Sequence, residues 1–306
     1  MINIENLTKK FGEITAVEGL TFNVDEGEVF GFLGPNGAGK TTTIRMLCCL
    51  ISKTSGEATI GDYHIGKADD SLQIRKMIGL VPDNVGLYDD LTAFENLDFY
   101  GKLYECPEGP RRENIERFLK MLDLWERKDA RSGSFSKGMK QKLALARALV
   151  HEPKILFMDE PTANLDPESA KTVRDFILEI KKQGRTIFLN THNLDEAQRI
   201  CDRIGILRTK LLILGTPEQL RESLTKPKTE IRLAQVNEPL IKALKKLVPN
   251  KVEVSDNKLI IDVMDPDREN PTIIAAITSS GGQIREVTQR VPTLEDVYLQ
   301  IVKETK

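Results

Sequence analysis

The sequence predicts an α/β fold: a core of parallel strands and helices joined by an antiparallel β element, an inserted helical subdomain, and a small α+β unit at the C-terminal end. Three observations predict it. An apolar run over Val29–Leu33 feeds a glycine-rich loop and then apolar residues at helical spacing over 44–51, the pattern of strand, loop and helix. Two more apolar runs, 154–158 and 186–189, end in polar or acidic residues, as strands buried on both faces of a parallel sheet do. Beyond residue 225 strand and helix patterns alternate in the order βαββαβ, which suits a ferredoxin-like unit.

The loop reads Gly34-Pro35-Asn36-Gly37-Ala38-Gly39-Lys40-Thr41-Thr42, which fills every fixed position of G-x-x-x-x-G-K-[ST]. Its glycines let the chain curl so that backbone N–H groups point inward at a phosphate. The helix that follows adds unpaired donors and the positive end of its dipole. Lys40 supplies a point charge for the outer phosphates and the Thr41 hydroxyl a ligand for Mg²⁺. The core is therefore of the P-loop NTPase type and takes a nucleoside triphosphate.

Before the loop, short strands are expected at 2–4, 16–17, 20–24 and 28–30, punctuated by Gly12, Gly19 and Gly27. Phe11 stands in a polar, loop-like stretch, where its ring either stacks on a base or fills a hairpin core. Residues 56–66 read as a hairpin with a Gly-Asp turn, and 78–82 as a strand ending at Asp83. A charged, mainly helical stretch over 92–128 is broken by the Pro- and Gly-containing segment 105–110. Ser132, Ser134 and Ser136 with Gly138 precede a strongly helical run, 142–150. They mark a capped helix start that doubles as a potential anion site.

The strand at 154–158 ends in Asp159 and Glu160, which puts two carboxylates at the mouth of a parallel sheet, where ligands bind. Asp159 suits a contact to Mg²⁺, and Glu160 a general base or a group that orients the attacking water. A helix follows Pro167. The strand at 186–190 brings Thr191 and His192 to the same sheet edge, which favours a phosphate contact for His192. Residues 224–229 read as a linker. The unit beyond them holds no His or Cys, and the tail 292–302 has helical periodicity. The division is expected at 225/226, with the helical subdomain at about 84–150.

Composition bounds the partners. In 306 residues, 44 Lys and Arg nearly cancel 46 Asp and Glu, so nothing points to nucleic acid. No apolar run approaches the about 18 residues that span a bilayer, and the opening residues lack a signal-peptide core. A cytoplasmic chain with four reduced cysteines is the expectation.

The ordered set of motifs over about 1–215 resembles the ATP-binding subunits of ABC transporters. Residues 34–41 look like Walker A, 155–160 like Walker B with its adjacent Glu, and Phe135-Ser136-Lys137-Gly138-Met139 like the signature sequence. Ala163-Asn164-Leu165-Asp166 looks like the D-loop and Thr191-His192 like the H-loop. Phe11 falls where the family sets an aromatic against adenine. Asp83 falls at the Q-loop, where Gln is usual, and a shorter carboxylate that only accepts would reach Mg²⁺ through a water. In the signature, Lys137 and Met139 replace the usual Gly and Gln. The tail from Pro292 is similar to that of stand-alone ATPase subunits of bacterial exporters.

The resemblance implies ATP and Mg²⁺ as cofactors and a head-to-tail pair of ATPase subunits. In that pair each ATP lies between Lys40, Asp159, Glu160 and His192 of one copy and Ser136 and Gly138 of the other. It further implies an integral-membrane permease in a separate chain and a peripheral location at the inner face of the cell membrane. Importer subunits and non-transport ATPases of the same family are the alternatives.

Overall fold

The structure, a computed structural model, describes residues 1–224, 228–247, 252–290 and 293–304. It divides into two compact units, Met1–Pro217 and Glu218–Lys306, several residues before the expected 225/226. Part of the expected linker, 225–227, lies outside the described residues.

In the first unit, β1 (Ile2–Phe11) and β2 (Ile14–Val24) form a long antiparallel hairpin. The expected breaks at 16–24 do not occur: Gly19 sits inside β2 beside register shifts at Leu7, so it marks an irregularity within one strand. Then come β3 (Val29–Leu33), α1 (Lys40–Leu47) and the hairpin of β4 (Ser55–Ile60) with β5 (Tyr63–His64). A helix that the sequence pattern does not announce, α2 (Ala68–Met77), leads into β6 (Ile78–Val81). It buries only Ile74, too sparse a signal for an amphipathic stripe.

Helices α3 (Ala93–Leu103), α4 (Glu108–Met121) and α5 (Lys137–Leu149) pack on one another as the inserted helical part. Helix α3 opens with a reciprocal Thr92–Glu95 capping box. The break between α3 and α4 is shorter than expected. Pro107 caps α4, while Gly109 and Pro110 lie in its first turn, where a missing N–H costs nothing. The core resumes with β7 (Ile155–Asp159), α6 (Pro167–Lys182), β8 (Thr186–Thr191), α7 (Leu194–Ile200), β9 (Arg203–Arg208) and β10 (Lys210–Gly215). Helix α8 (Pro217–Leu224) starts at the division and belongs, from Glu218 on, to the second unit.

Two sheets result. The larger has the order β10-β9-β3-β8-β7-β6, parallel except for β10; the smaller is antiparallel, β2-β1-β4-β5. Phe22 of the small sheet stacks on Phe30 of the large one at 5.0 Å, and Phe30 and Phe157 each pack on Phe188 at 5.3 and 5.5 Å. Aromatic pairs of this kind add about 0.5–1.5 kcal/mol each beyond area burial. This dry seam lets β3, β7 and β8 run side by side with their carboxyl ends level, which is what builds the site.

The second unit orders its strands β12 (Val252–Ser255), β13 (Lys258–Asp262), β11 (Lys228–Leu233) and β14 (Ile284–Arg290), all antiparallel to their neighbours. With α9 (Glu238–Leu247) and α10 (Pro266–Ser279) this is the split βαβ arrangement, and α11 (Leu294–Glu304) follows. Ile231, Leu233, Leu240, Leu244, Leu259, Ile261, Ile273 and Ile277 form its core. Helix α10 begins at Pro266, because Asp265 caps it through the N–H groups of Asp267 and Arg268; Pro271 is carried inside. No described helix is long and apolar enough to cross a membrane.

Candidate active site

A cleft of about 460 Å³ opens where β1, β3, β6, β7 and β8 end. Phe11, Ala16, residues 36–42, Asp83, Asp159, Glu160 and Asn190 line it. The loop after β3 is tied into the fold by two constraints. Gly39 sits at φ 100°, and a Cβ there would meet the Ala16 carbonyl at 2.3 Å, so no other residue fits. The Thr43 hydroxyl donates back to the Gly39 carbonyl at 2.9 Å and anchors the turn to α1.

Lys40 is only 6% exposed, and its Nζ donates to the carbonyls of Gly34 (2.6 Å) and Pro35 (3.1 Å). Burial pulls the ammonium below the ordinary lysine value, while the nearby charges of Glu160 and Asp159 oppose that shift. An ammonium carries three donors, and one remains for a ligand.

Asp159 is buried at the end of β7. Its Oδ2 accepts from the Thr41 hydroxyl at 2.8 Å and its Oδ1 from the Asn190 amide. Parallel register sets Asp159 beside Asn190, so both side chains point to the same face. Hard oxygens gathered this closely suit Mg²⁺, and the Thr41–Asp159 pair would hold it; Asp83, exposed, lines the cleft as well.

Glu160 turns the chain sharply out of β7. Its φ is 54°, unusual for a residue with a side chain, and the geometry is held by its N–H donating to the Asn190 carbonyl at 2.8 Å. Glu160 Oε2 accepts from His192 Nδ1 at 2.7 Å and from the His192 N–H at 3.3 Å. His192 is 61% exposed at its side chain and joins the site through Glu160, not as a lining residue. Beneath it the buried Glu196 accepts from the Thr191 hydroxyl at 2.9 Å. Burial pushes the Glu196 carboxyl above its usual range, against the lowering pull of its bonds to Thr162 and Thr191.

Ser136, Gly138 and Asp166 are not among the lining residues of this cleft. Ser136 caps α5, accepting from Met139 N–H at 3.2 Å, and Asp166 caps α6, accepting from Ser169 N–H at 2.9 Å. Those bonds to Ser169 hold the Asp166 carboxyl below its usual range. Gly138 lies against Ser169: a Cβ there would meet Ser169 Oγ at 2.3 Å. The three therefore form a second cluster, where α5 and α6 begin. Phe11 closes β1, half exposed, with Lys9 Nζ 4.8 Å from its ring centroid. Sequence reading missed Asn190 and Ala16. The parallel partnership of 159 with 190 was the one signal for Asn190, and no local signal marks Ala16.

Comparison with known proteins bears on the family and the fold. The profile of the family described as ABC transporter matches residues 17–163, and that of the ATP-binding protein DrrA1-3-like C-terminal domain matches 215–302. The chain is 34% identical over 310 residues to the linearmycin resistance ATP-binding protein LnrL of Bacillus subtilis, covering 100% of this chain and 99% of that one. It is 35% identical to the Nod factor export ATP-binding protein I of Rhizobium sp. strain N33, covering 98% and 96%. A solved ATP-binding subunit of an ABC transporter superposes with a TM-score of 0.67 at 31% identity over 73% of this chain and 92% of that one. A dimeric ATP-binding cassette bound to ADP and Pi superposes with 0.64 at 29% identity over 71% and 98%. Fold, cleft and relatives converge on one assignment: the chain belongs to the ATP-binding subunits of ABC transporters.

Proposed function

We propose that this chain binds ATP with Mg²⁺ and hydrolyses it to drive export through a permease carried on a separate chain, at the inner face of the cell membrane. The observation that carries the reading is the convergence on one cleft of Lys40, the Thr41–Asp159 pair and the Glu160–His192 pair.

In this reading Phe11 stacks on the adenine, and the backbone N–H groups of residues 34–42, Pro35 excepted, cradle the phosphates with Lys40. Thr41 and Asp159 would hold Mg²⁺, with Asp83 reaching it through a water, and the ion would supply positive charge to offset that of the phosphates. Glu160 accepts a proton from the attacking water. His192 Nδ1–H donates to its Oε2 and so fixes the direction of the carboxylate. Ser136, Gly138 and Asp166 serve the cleft of a second ATPase subunit, like or unlike this one. What supports this is that they cluster at two helix N-termini away from their own cleft. A second helix N-terminus over the triphosphate would neutralise charge and exclude water, so ATP would favour the closed pair and hydrolysis would release it. The direction of transport is supported by relatives named for linearmycin resistance and Nod factor export.

Glu160→Gln tests the reading. ATP binding is retained, turnover is nearly abolished, and a paired species accumulates with ATP; full steady-state ATPase activity in that variant refutes it. Lys40→Ala should lose affinity for ATP by calorimetry. Identification of the membrane protein that co-purifies with the chain tests the direction.

A further inference from the structure

The segment after β6 is tied down by a buried cation that no carboxylate among the described residues pairs. Arg147, near the end of α5, is 8% exposed. Its Nη1 donates to the carbonyls of Val85 and of Gly86 (2.9 Å), and its Nη2 to that of Leu80 (3.3 Å). These carbonyls bracket Asp83, which lines the cleft. From the other side, the Tyr100 hydroxyl of α3 donates to Gly86 at 3.2 Å, and its ring lies 5.0 Å below the guanidinium.

Among the described residues Arg147 makes no ion pair; its fork donates to backbone carbonyls and lies over the Tyr100 ring, with Tyr104 nearby. Burying a guanidinium this way is costly, and a neutral side chain of the same volume would be cheaper. What Arg alone offers is a rigid, planar fork of five donors, which here reaches the backbone on both flanks of one residue. Burial pulls the guanidinium below its ordinary value, against the raising influence of Tyr100 and Tyr104.

We propose that Arg147 is a positioning residue for ATP turnover: it locks the backbone on both sides of Asp83 to α5, so that Asp83 and the helix starting at Ser136 move as one piece. The proposal rests on the reading of Asp83 as part of the nucleotide site. A displacement at the Ser136 end of α5 would then reach Asp83 along a helix of 13 residues and three hydrogen bonds, not through loose side-chain packing.

The experiment compares Arg147→Met, Asp83→Ala and the double variant with the parent chain. Deuterium uptake over 80–88 should rise in Arg147→Met, with ATP affinity within about threefold and kcat down about tenfold. Asp83→Ala should lower kcat about fivefold in the parent but less than twofold in Arg147→Met, because the carboxylate is already misplaced there. Multiplying effects, unchanged uptake over 80–88, or loss of affinity in step with kcat overturns the proposal. If Arg147→Met does not fold, Arg147→Lys takes its place: it keeps the charge but not the fork, and must show the same raised uptake and the same non-additivity. An inactive parent, or a Lys40→Ala chain with full activity, would instead fail the functional reading itself.

Discussion

Gly138 is the position where packing and the proposed function make different predictions. A Cβ on Gly138 would stand 2.3 Å from Ser169 Oγ, 2.9 Å from Ser169 Cβ and 3.5 Å from Asp166 Oδ2. Rotating the Ser169 hydroxyl away removes the first clash. The second remains, because Cβ moves only with the backbone, so α5 and α6 must part by a few tenths of an ångström. Overpacking of this kind costs about 1–3 kcal/mol. Alanine recovers about 0.5–1 kcal/mol of that through its better helix propensity. Gly138→Ala should therefore destabilise by about 1–2 kcal/mol, which lowers the melting temperature by about 3–6 °C for a unit of this size. Adding Ser169→Gly removes both close contacts and keeps the Ser169 N–H that bonds Asp166, but loses the hydroxyl's bond to the same carboxylate, so it should restore part of the stability. ATPase activity should stay low in the double variant, because the added methyl still stands where a partner's triphosphate would approach. The assays are thermal melting and steady-state phosphate release on the same preparations. A single variant as stable as the parent refutes the packing argument; a double variant with full activity refutes the role proposed for Gly138.

Three further outcomes follow from the geometry. Gly39→Ala should cost about 3–5 kcal/mol, from left-handed strain and overpacking together, and abolish ATP binding; a urea midpoint near that of the parent would contradict it. Asp83→Gln should change kcat by less than about threefold if, as proposed, the Asp83 carboxylate, which has no hydrogen bond among the described residues, acts only through a water; complete loss would show that its charge is required. His151 should make the protein acid-sensitive. Stacked 3.7 Å from Tyr104, it donates from Nε2 to the Ile78 carbonyl at 2.9 Å, while its Nδ1 is buried with no hydrogen-bond partner among the described residues. Burial holds its value down to about 4. The value is depressed in the fold, so its contribution is complete above the unfolded 6.5 and is lost as pH falls through about 4, about 3 kcal/mol in all. Denaturant titrations from pH 7.5 to 4 should show this slope, and His151→Leu should flatten it.

Much of the fold could be read locally, and the misreadings have physical causes. The strand–loop–helix at 29–47 is visible because its apolar run, its glycines and Lys40-Thr41 act within one short segment. Helix α2 buries a single residue and leaves no stripe to detect. Gly19 and Pro271 look like ends but lie within elements, because partner strands and a cap at Asp265 override local propensity. In the site, Asn190 went unseen because its importance comes from Asp159 beside it in the sheet, not from its neighbours in the chain.

By itself, then, the sequence determined the chemistry on offer: a phosphate-cradling loop, two acids at a strand end and a histidine on the next strand. Short-range backbone geometry suffices for each. Only the tertiary structure decided how they combine. The strand order brings Thr41 to Asp159 across 118 residues, and the turn at Glu160 hands its carboxylate to His192. The packing of α5 on α6 keeps Ser136, Gly138 and Asp166 together, apart from the cleft they resemble serving. Such juxtapositions depend on which strands pair and which faces are buried, and no local window of residues encodes that.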